Sequence, residues 1–364
     1  MIVLTIDGKD LAKSAKQLVV SDIEVELTSG YEASIASFCL YNTFDNDTSQ
    51  FRTEEVKKYI LIGSGVEIAL GYEKEVRQIF TGFISKVNFF YEAGEVPGIR
   101  VTAMDVKGVM MANRYSRQLT ASSFGEAVKE ILNKGPYQRM TNSRLIKGIE
   151  ISETPDKTRN VSSSSKASDR TIEMVAESDY EFIVKAAKKY NYEFFSECGI
   201  VYFRKSKQNA EVVMAMGPAD GLRNFDVEYD VTGLVETIKA RSTDVSKGRV
   251  IESKQKFNQK ISMGNKAKNL IKNSEKVYLD ATITSKEEAD YRVDSLMEEM
   301  AYRFGSLQGT CIGMPELLPG KFLELQSLGE PADNRFYLTK VIHRIDSIRG
   351  YETTFYGKTN KIGE

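Results

Sequence analysis

Tryptophan is absent from this 364-residue chain, histidine occurs once, and the three cysteines stand far apart at Cys39, Cys198 and Cys311. Each scarcity removes a class of protein. An odd number of widely spaced cysteines makes no disulfide framework and fits folding in a reducing cytoplasm. With one histidine, no CxxC and no HExxH, the ligands of a zinc site are not there. The lack of tryptophan weakens a sugar-stacking surface, although 18 tyrosines leave rings that could serve. No apolar run reaches 18 residues, and the start "MIVLTIDGKDLAK" has no basic stretch ahead of an apolar core. The reading is therefore of a chain with neither signal peptide nor membrane insertion.

Net charge is also scarce. Fifty Lys and Arg stand against 51 Asp and Glu, so no global field draws the chain to DNA or to an acidic membrane, and only a local basic patch remains open. Hydrophobic residues at 41% and charged residues at 28% are the ordinary balance of a globular protein. A chain this long exceeds one ordinary core, which predicts two or three domains.

Alternation with a period of two dominates the first part of the chain. In "SDIEVEL", Ile23, Val25 and Leu27 alternate with acids, and Val66, Ile68, Leu70 and Tyr72 repeat the pattern after the glycines at 63 and 65. "RQIFTGFISKVNFF" and "GIRVTAMDV" flank the turn-rich "YEAGEVPG" as a long hairpin, and "FRTEEVKKYI" reads as a short helix. Residues 1–112 are thus expected to form a first tube-like β-barrel domain.

Helical spacing takes over in residues 113–222, an expected α/β middle region. Ser123 and Glu126 make a capping box ahead of Phe124, Ala127, Val128, Ile131 and Leu132, and Gly135 with Pro136 is expected to end that helix. A Ser-rich segment, 152–168, reads as an exposed loop open to proteolysis. A second box, Ser178 with Glu181, opens a helix whose stripe of Phe182, Ile183, Ala186, Ala187 and Tyr190 faces inward, with Asn191 at its left-handed end. "YEFFS" and "IVYFRK" then form a hairpin against it. Residues 223–364 return to strands as a second tube-like β-barrel domain, interrupted by a helix at 285–304. The fold class is α+β, mainly β, with two such domains flanking the α/β middle.

Chemistry is harder to place. His343 lies inside "LTKVIHRID", where a general base is conceivable but a structural histidine is the usual outcome. Cys198 precedes it in the chain order of papain-like peptidases, yet sits in a hairpin turn instead of at a helix N-terminus. "DNDT" at 45–48 starts like a calcium loop without the central glycine or closing glutamate, and no phosphate-binding glycine motif is present. Among 51 acids nothing singles out a carboxylate pair for glycoside hydrolysis, whose spacing is three-dimensional. No catalytic, cofactor or metal residue is assigned.

Three motifs carry a family likeness. "ESDYEFIVKAAKKYNYEFF" supplies Glu177, Ser178, Asp179, Phe182 and Tyr192; "PELLPGKFLELQSLG" and "RFYLTKVIHRIDSIRGYETTF" supply Pro319, Gly320, Tyr337, His343, Gly350, Tyr351 and Thr353; "FTGFISKV" supplies Gly82. In order and spacing the chain resembles phage late control protein D, the tail baseplate hub, and the hub portion of type VI secretion spike proteins.

That resemblance implies a non-enzymatic virion structural protein: a homotrimer joining a six-fold tail tube protein to a separate three-fold central spike protein. The chain stops after the last strand of the resemblance, so the spike is expected as a partner. Baseplate wedge proteins and a tape-measure protein are the other implied partners, with DNA passage but no sequence-specific nucleic-acid binding. The implied setting is a phage tail, or a contractile injection particle such as a tailocin or other bacteriocin, made in the bacterial cytoplasm. The helix with its hairpin would brace the two β-domains, so that Phe182→Ala with Tyr190→Ala prevents stable trimers. The alternatives are a tail-mounted cell-wall hydrolase and a receptor- or carbohydrate-binding tail protein.

Overall fold

The structure, a computed structural model, describes residues 1–15, 17–73, 75–156, 172–244, 248–257 and 261–362. It is mainly β, with an α/β region between two β-rich halves. One antiparallel-dominated sheet of 13 strands runs through both halves.

The N-terminal half of that sheet is ordered Val19–Thr28, Ile35–Tyr41, Gly98–Met104, Glu75–Phe90, Gly65–Tyr72 and Ile2–Ile6. Alternation does the work expected of it: Ile23, Val25 and Leu27 are buried, as are Val66, Ile68 and Leu70, and all feed one core with Phe38, Phe80 and Val101. Burying a side chain of this size contributes roughly 1.5–3 kcal/mol. At Gly82 the long strand crosses so close to its neighbour that an added Cβ would lie 2.4 Å from the Met104 carbonyl oxygen. "FRTEEVKKYI" supplies only the short helix Thr53–Val56.

In the C-terminal half the order is Leu222–Tyr229, Gly305–Ile312, Gly350–Thr359 and Asn334–Asp346, with Phe322–Leu325 and Val212–Met216 alongside the last. The 13-residue strand Asn334–Asp346 joins the halves. Its first residues pair with Phe322–Leu325, and after an irregularity near Leu338 it pairs through Lys340–Ile345 with Ile23–Thr28. Outside this seam Lys340 meets Glu26 at 2.7 Å and the Arg344 Nε donates to Glu24 at 2.8 Å. Inside it Val341 and His343 face the core opposite Leu27 and Val25.

Between the halves, the helices Phe124–Leu132 and Asp179–Tyr190 pack on a small sheet made by the hairpin Tyr192–Glu197 and Ile200–Lys205 with the parallel strand Gly148–Ile151. Both capping boxes fall where the sequence places them. Ser123 accepts from the Glu126 amide, and Ser178 with Glu181 forms the full reciprocal box; Asn191 closes the second helix at φ 55°. Gly135 and Pro136 do more than end a helix. The first helix stops at Asn133, and Pro136 opens another, Gly135–Asn142, because proline's fixed φ suits a first turn. In the Ser-rich segment, the Thr154 hydroxyl and the Asp156 carboxylate accept from the amides of Gly125 and Phe124, capping that first helix. Residues 157–168 of the segment lie outside the described residues.

The interruption of the C-terminal half is larger than the expected helix at 285–304. That helix is Lys286–Ala301, and it covers one face of a three-stranded sheet, Thr237–Asp244, Arg249–Lys256 and Glu275–Leu279. Helix and sheet enclose Ile238, Ala240, Ile251, Val293 and Met297.

Candidate functional site

The residues of two family motifs cluster at the head of the helix Asp179–Tyr190 and around the loop 313–320, while Gly82 lies within the N-terminal sheet. At the head of the helix Asp179–Tyr190, the buried Asp179 accepts hydrogen bonds from Tyr137, at 2.6 Å, and Tyr115. Glu177 beside it pairs with Lys185 at 2.7 Å. Phe182 stacks on Phe124 with ring centroids 5.8 Å apart, and Tyr190 packs on Phe124 and Tyr192. This aromatic stripe therefore fills the middle region's own core. Contact with the N-terminal half comes instead through the Tyr31 hydroxyl, which donates to the Tyr192 carbonyl at 3.2 Å, and the Tyr180 hydroxyl, which donates to the Tyr31 carbonyl at 3.0 Å.

The second cluster lies around the loop 313–320. Leu317 lies in the C-terminal core and Leu318 in the N-terminal one, so the loop spans both. His343 holds it from beneath. Its Nε2 bonds to the Leu317 carbonyl at 3.1 Å, and its Nδ1 faces the hydroxyls of Tyr351 at 3.0 Å and Thr353 at 3.2 Å. A carbonyl can only accept, so Nε2 carries the proton and Nδ1 accepts. The Thr353 hydroxyl oxygen also accepts from the Met314 amide at 2.9 Å, and Tyr72 of the N-terminal half donates to the Gly313 carbonyl at 2.9 Å. Pro319 is buried, and Gly320, at φ 85°, leaves no room for a Cβ against Arg204 and Phe195. Gly350, at φ 73°, turns the chain between the last two strands.

Burial lowers the His343 pKa to about 4. Folded pKa is thus below the unfolded value near 6.5, so the stabilisation is complete above pH 6.5 and lost as pH falls through that interval. Relative to pH 8, about 2 kcal/mol is expected to go by pH 5 and about 3 kcal/mol by pH 4. Chemical denaturation at stepped pH checks this. Because His343 is the only histidine, His343→Gln should flatten the segment between pH 6.5 and 5, and an unchanged slope there would refute the assignment.

Two buried charged networks, neither visible as a motif, fasten the aromatic hairpin on its two sides. Toward the N-terminal half, Asp105 and Lys107 are both buried. Asp105 accepts from the amides of Ser34 and Lys107, each at 2.9 Å, while the Lys107 ammonium donates to the carbonyls of Gly30, at 3.3 Å, and Glu32, beneath the Phe194 ring. Desolvation raises the Asp105 pKa and lowers that of Lys107. Toward the C-terminal half, Glu193 accepts from Arg204 Nε at 3.1 Å, from the Lys207 amide at 3.0 Å and from the Tyr337 hydroxyl, while Arg204 also donates to the Gly320 carbonyl at 2.9 Å. Burial and Glu193 together push the Tyr337 phenol well above the ordinary tyrosine range.

Where these elements meet lies a cavity of about 560 Å³ with Tyr31, Tyr302 and Tyr337 on its walls. The Lys207 ammonium lines it, 4.3 Å from the Tyr302 ring centre and donating to the Ser206 hydroxyl at 2.6 Å, and desolvation lowers its pKa.

The residues weighed for peptidase chemistry are occupied structurally. Cys198 sits in the hairpin turn at φ 50°, its thiol donates to the Gln78 carbonyl at 3.1 Å, and burial pushes its pKa up to about 12. Both His343 nitrogens are engaged. "DNDT" closes the small hairpin Phe44–Asp45/Gln50–Phe51, with Asp45 accepting from the amides of Asp47 and Thr48. Among the described residues no group of three or more His, Cys, Asp or Glu converges as metal ligands, and no helix is long and apolar enough to cross a membrane.

This architecture, two β-rich halves on one sheet clasping an α/β region, is that of several solved tail proteins. The tail protein from Neisseria meningitidis MC58 superimposes with a TM-score of 0.67 at 11% identity, over 99% of this chain and 96% of that one. The 43 kDa tail protein of prophage MuSo2 from Shewanella oneidensis gives 0.66 at 10% identity, over 99% and 98%. The E. coli c3393 protein, a component of the type VI secretion system, gives 0.57 at 12% identity, over 97% of this chain and 76% of that one. At such identities the likeness is one of fold. Among curated proteins no sequence matches. The family model described as Alg8 N-terminal domain matches residues 2–347, and the chain belongs to that family.

Proposed function

We propose that the chain is a non-enzymatic structural hub of a phage tail or tail-like contractile injection particle. It assembles as a homotrimer that joins a six-fold tube to a three-fold spike, inside a ring of baseplate wedge proteins. Tape-measure protein and DNA would pass through its channel, and the chain would be made in the bacterial cytoplasm before assembly.

The observation that carries this reading is the reciprocal, end-to-end likeness to two tail proteins, which leaves almost none of either chain unmatched. The free sheet borders add to it. Among the described residues Leu222–Tyr229 pairs along one edge only, and Ile2–Leu4 likewise pairs only with Ala69, Leu70 and Ile68. Open borders of this kind are satisfied when copies close a ring. A hydrolase is disfavoured by a protonated, hydrogen-bonded Cys198 and a fully engaged His343.

Electron microscopy of the purified protein tests the proposal. A three-fold ring with a central hole is expected. Monomers at micromolar concentration, in the presence and absence of a tube protein, would overturn it.

A further inference from the structure

The near-zero net charge of the chain conceals a sharp local separation. Residues 237–279 hold eleven Lys and Arg against three Asp and Glu, a net charge of +8 in a chain of −1. This stretch comprises the three-stranded sheet and the helix Gly264–Leu270.

The sheet has one covered face and one bare face. Ile238, Ala240, Ser242, Ile251 and Ser253 point to the helix Lys286–Ala301 and are buried. By alternation Lys239, Arg241, Lys254 and Lys256 point the other way, together with Glu252, Glu275 and the exposed Val250, Val277 and Leu279; in register Lys254 lies opposite Lys239 and Glu252 opposite Arg241. Lys239 is matched by Glu275 at 2.8 Å. Arg241, Lys254, Lys256, Lys266, Lys268 and Lys272 are exposed, with no ion pair among the described residues. The helix on the opposite face carries six acids, from Glu287 to Glu299. The module is therefore electrically two-sided: four cations stand against two acids on the bare sheet, and six acids against Lys286 and Arg292 on the helix.

We infer that the bare basic side of this module binds the phosphate backbone of nucleic acid without regard to sequence. Charge complementarity names the occupant. Five of the six exposed cations named above are lysines, point charges suited to phosphates, whereas lysine is depleted where proteins pack on one another. No aromatic residue lies on the bare face to stack a base, which suits backbone contact. The acidic helix would repel a polyanion from the other side, so only the sheet side is open to it. The inference depends on charge and exposure alone and would survive failure of the trimeric hub reading.

The test uses the full chain and a fluorescein-labelled 30-base-pair DNA duplex of arbitrary sequence, followed by anisotropy. Engaging about four phosphates should weaken binding about 100-fold between 50 and 200 mM NaCl. The variant K254E/K256E/K266E/K268E should lose at least about ten-fold in affinity. The variant K57E/K58E/K86E/K129E, with the same change of total charge on surfaces elsewhere, should bind like the parent; circular dichroism checks that both fold. Three results would overturn the inference: no salt-sensitive binding, equal losses in the two variants, or equally tight binding of poly-L-glutamate, which would assign the surface to an acidic protein.

Discussion

Replacing Lys107 by Ala is expected to destabilise the protein by about 3–5 kcal/mol, among the largest effects of any single substitution here. The cause is the carboxylate left behind. Asp105 is 1% exposed and Lys107 fully buried, so without the ammonium Asp105 must either stay charged in a dry site or take up a proton. The Gly30 and Glu32 carbonyls lose their donor as well. Because the turn they belong to carries Tyr31 onto Tyr192, the clasp between the N-terminal half and the aromatic hairpin should loosen.

Chemical denaturation measures the cost, and a compensating pair isolates its origin. In Asp105→Asn with Lys107→Met both charges are gone, and the one amide oxygen keeps one of the two backbone donors, Ser34 or residue 107, which bond to different oxygens of the carboxylate. Replacing a buried pair together is often close to neutral, so the double variant should recover part of the stability lost in K107A, less the one backbone hydrogen bond that asparagine cannot accept. A loss below about 1 kcal/mol in K107A, or a double variant no better than the single one, would show that burial of the pair is not the controlling factor.

Local devices were legible in the sequence, and distant pairings were not. Ser178 with Glu181 and Ser123 with Glu126 announce helix starts because a cap needs only neighbours three residues apart. The long hairpin around "YEAGEVPG" is readable for the same reason. The seam between Ile23–Thr28 and Lys340–Ile345 joins residues more than 300 positions apart, and alternation says which face is buried but not which strand lies alongside. The strands within 237–279 read only as part of the second β-rich domain, and nothing in the lysines at their outward positions 239, 254 and 256 shows that they leave the main sheet to form one of their own. Lys107 hid in a different way. A lysine following an apolar strand reads as a surface charge, and only the fold brings Asp105 and two carbonyls around it. Glu193 and Arg204 could have been found, since the hairpin register sets them directly opposite, and one acid facing one base amid aromatics is the pattern of a buried pair.

Glu193→Ala is expected to cost about 3–5 kcal/mol as well, and its effect should spread farther. The carboxylate is the one acceptor shared by Arg204, Tyr337 and the Lys207 amide, so its removal strands a guanidinium, a phenol and a backbone N–H together. Arg204 in turn holds the Gly320 carbonyl, which links the hairpin to the loop that spans both cores. Tyr337→Phe removes only one donor and should cost about 1–2 kcal/mol. If the groups act as one network, the loss in E193A/R204A falls well short of the sum of the two single losses, because the second substitution removes a charge the first had already orphaned. Hydrogen exchange gives the spatial test: protection should fall in both the hairpin 192–205 and the loop 313–320 of E193A while the strands Ile35–Tyr41 and Gly98–Met104 keep theirs. Additive losses, or exchange changes confined to the hairpin, would mean that Glu193 serves its own strand and does not couple the middle region to the C-terminal half.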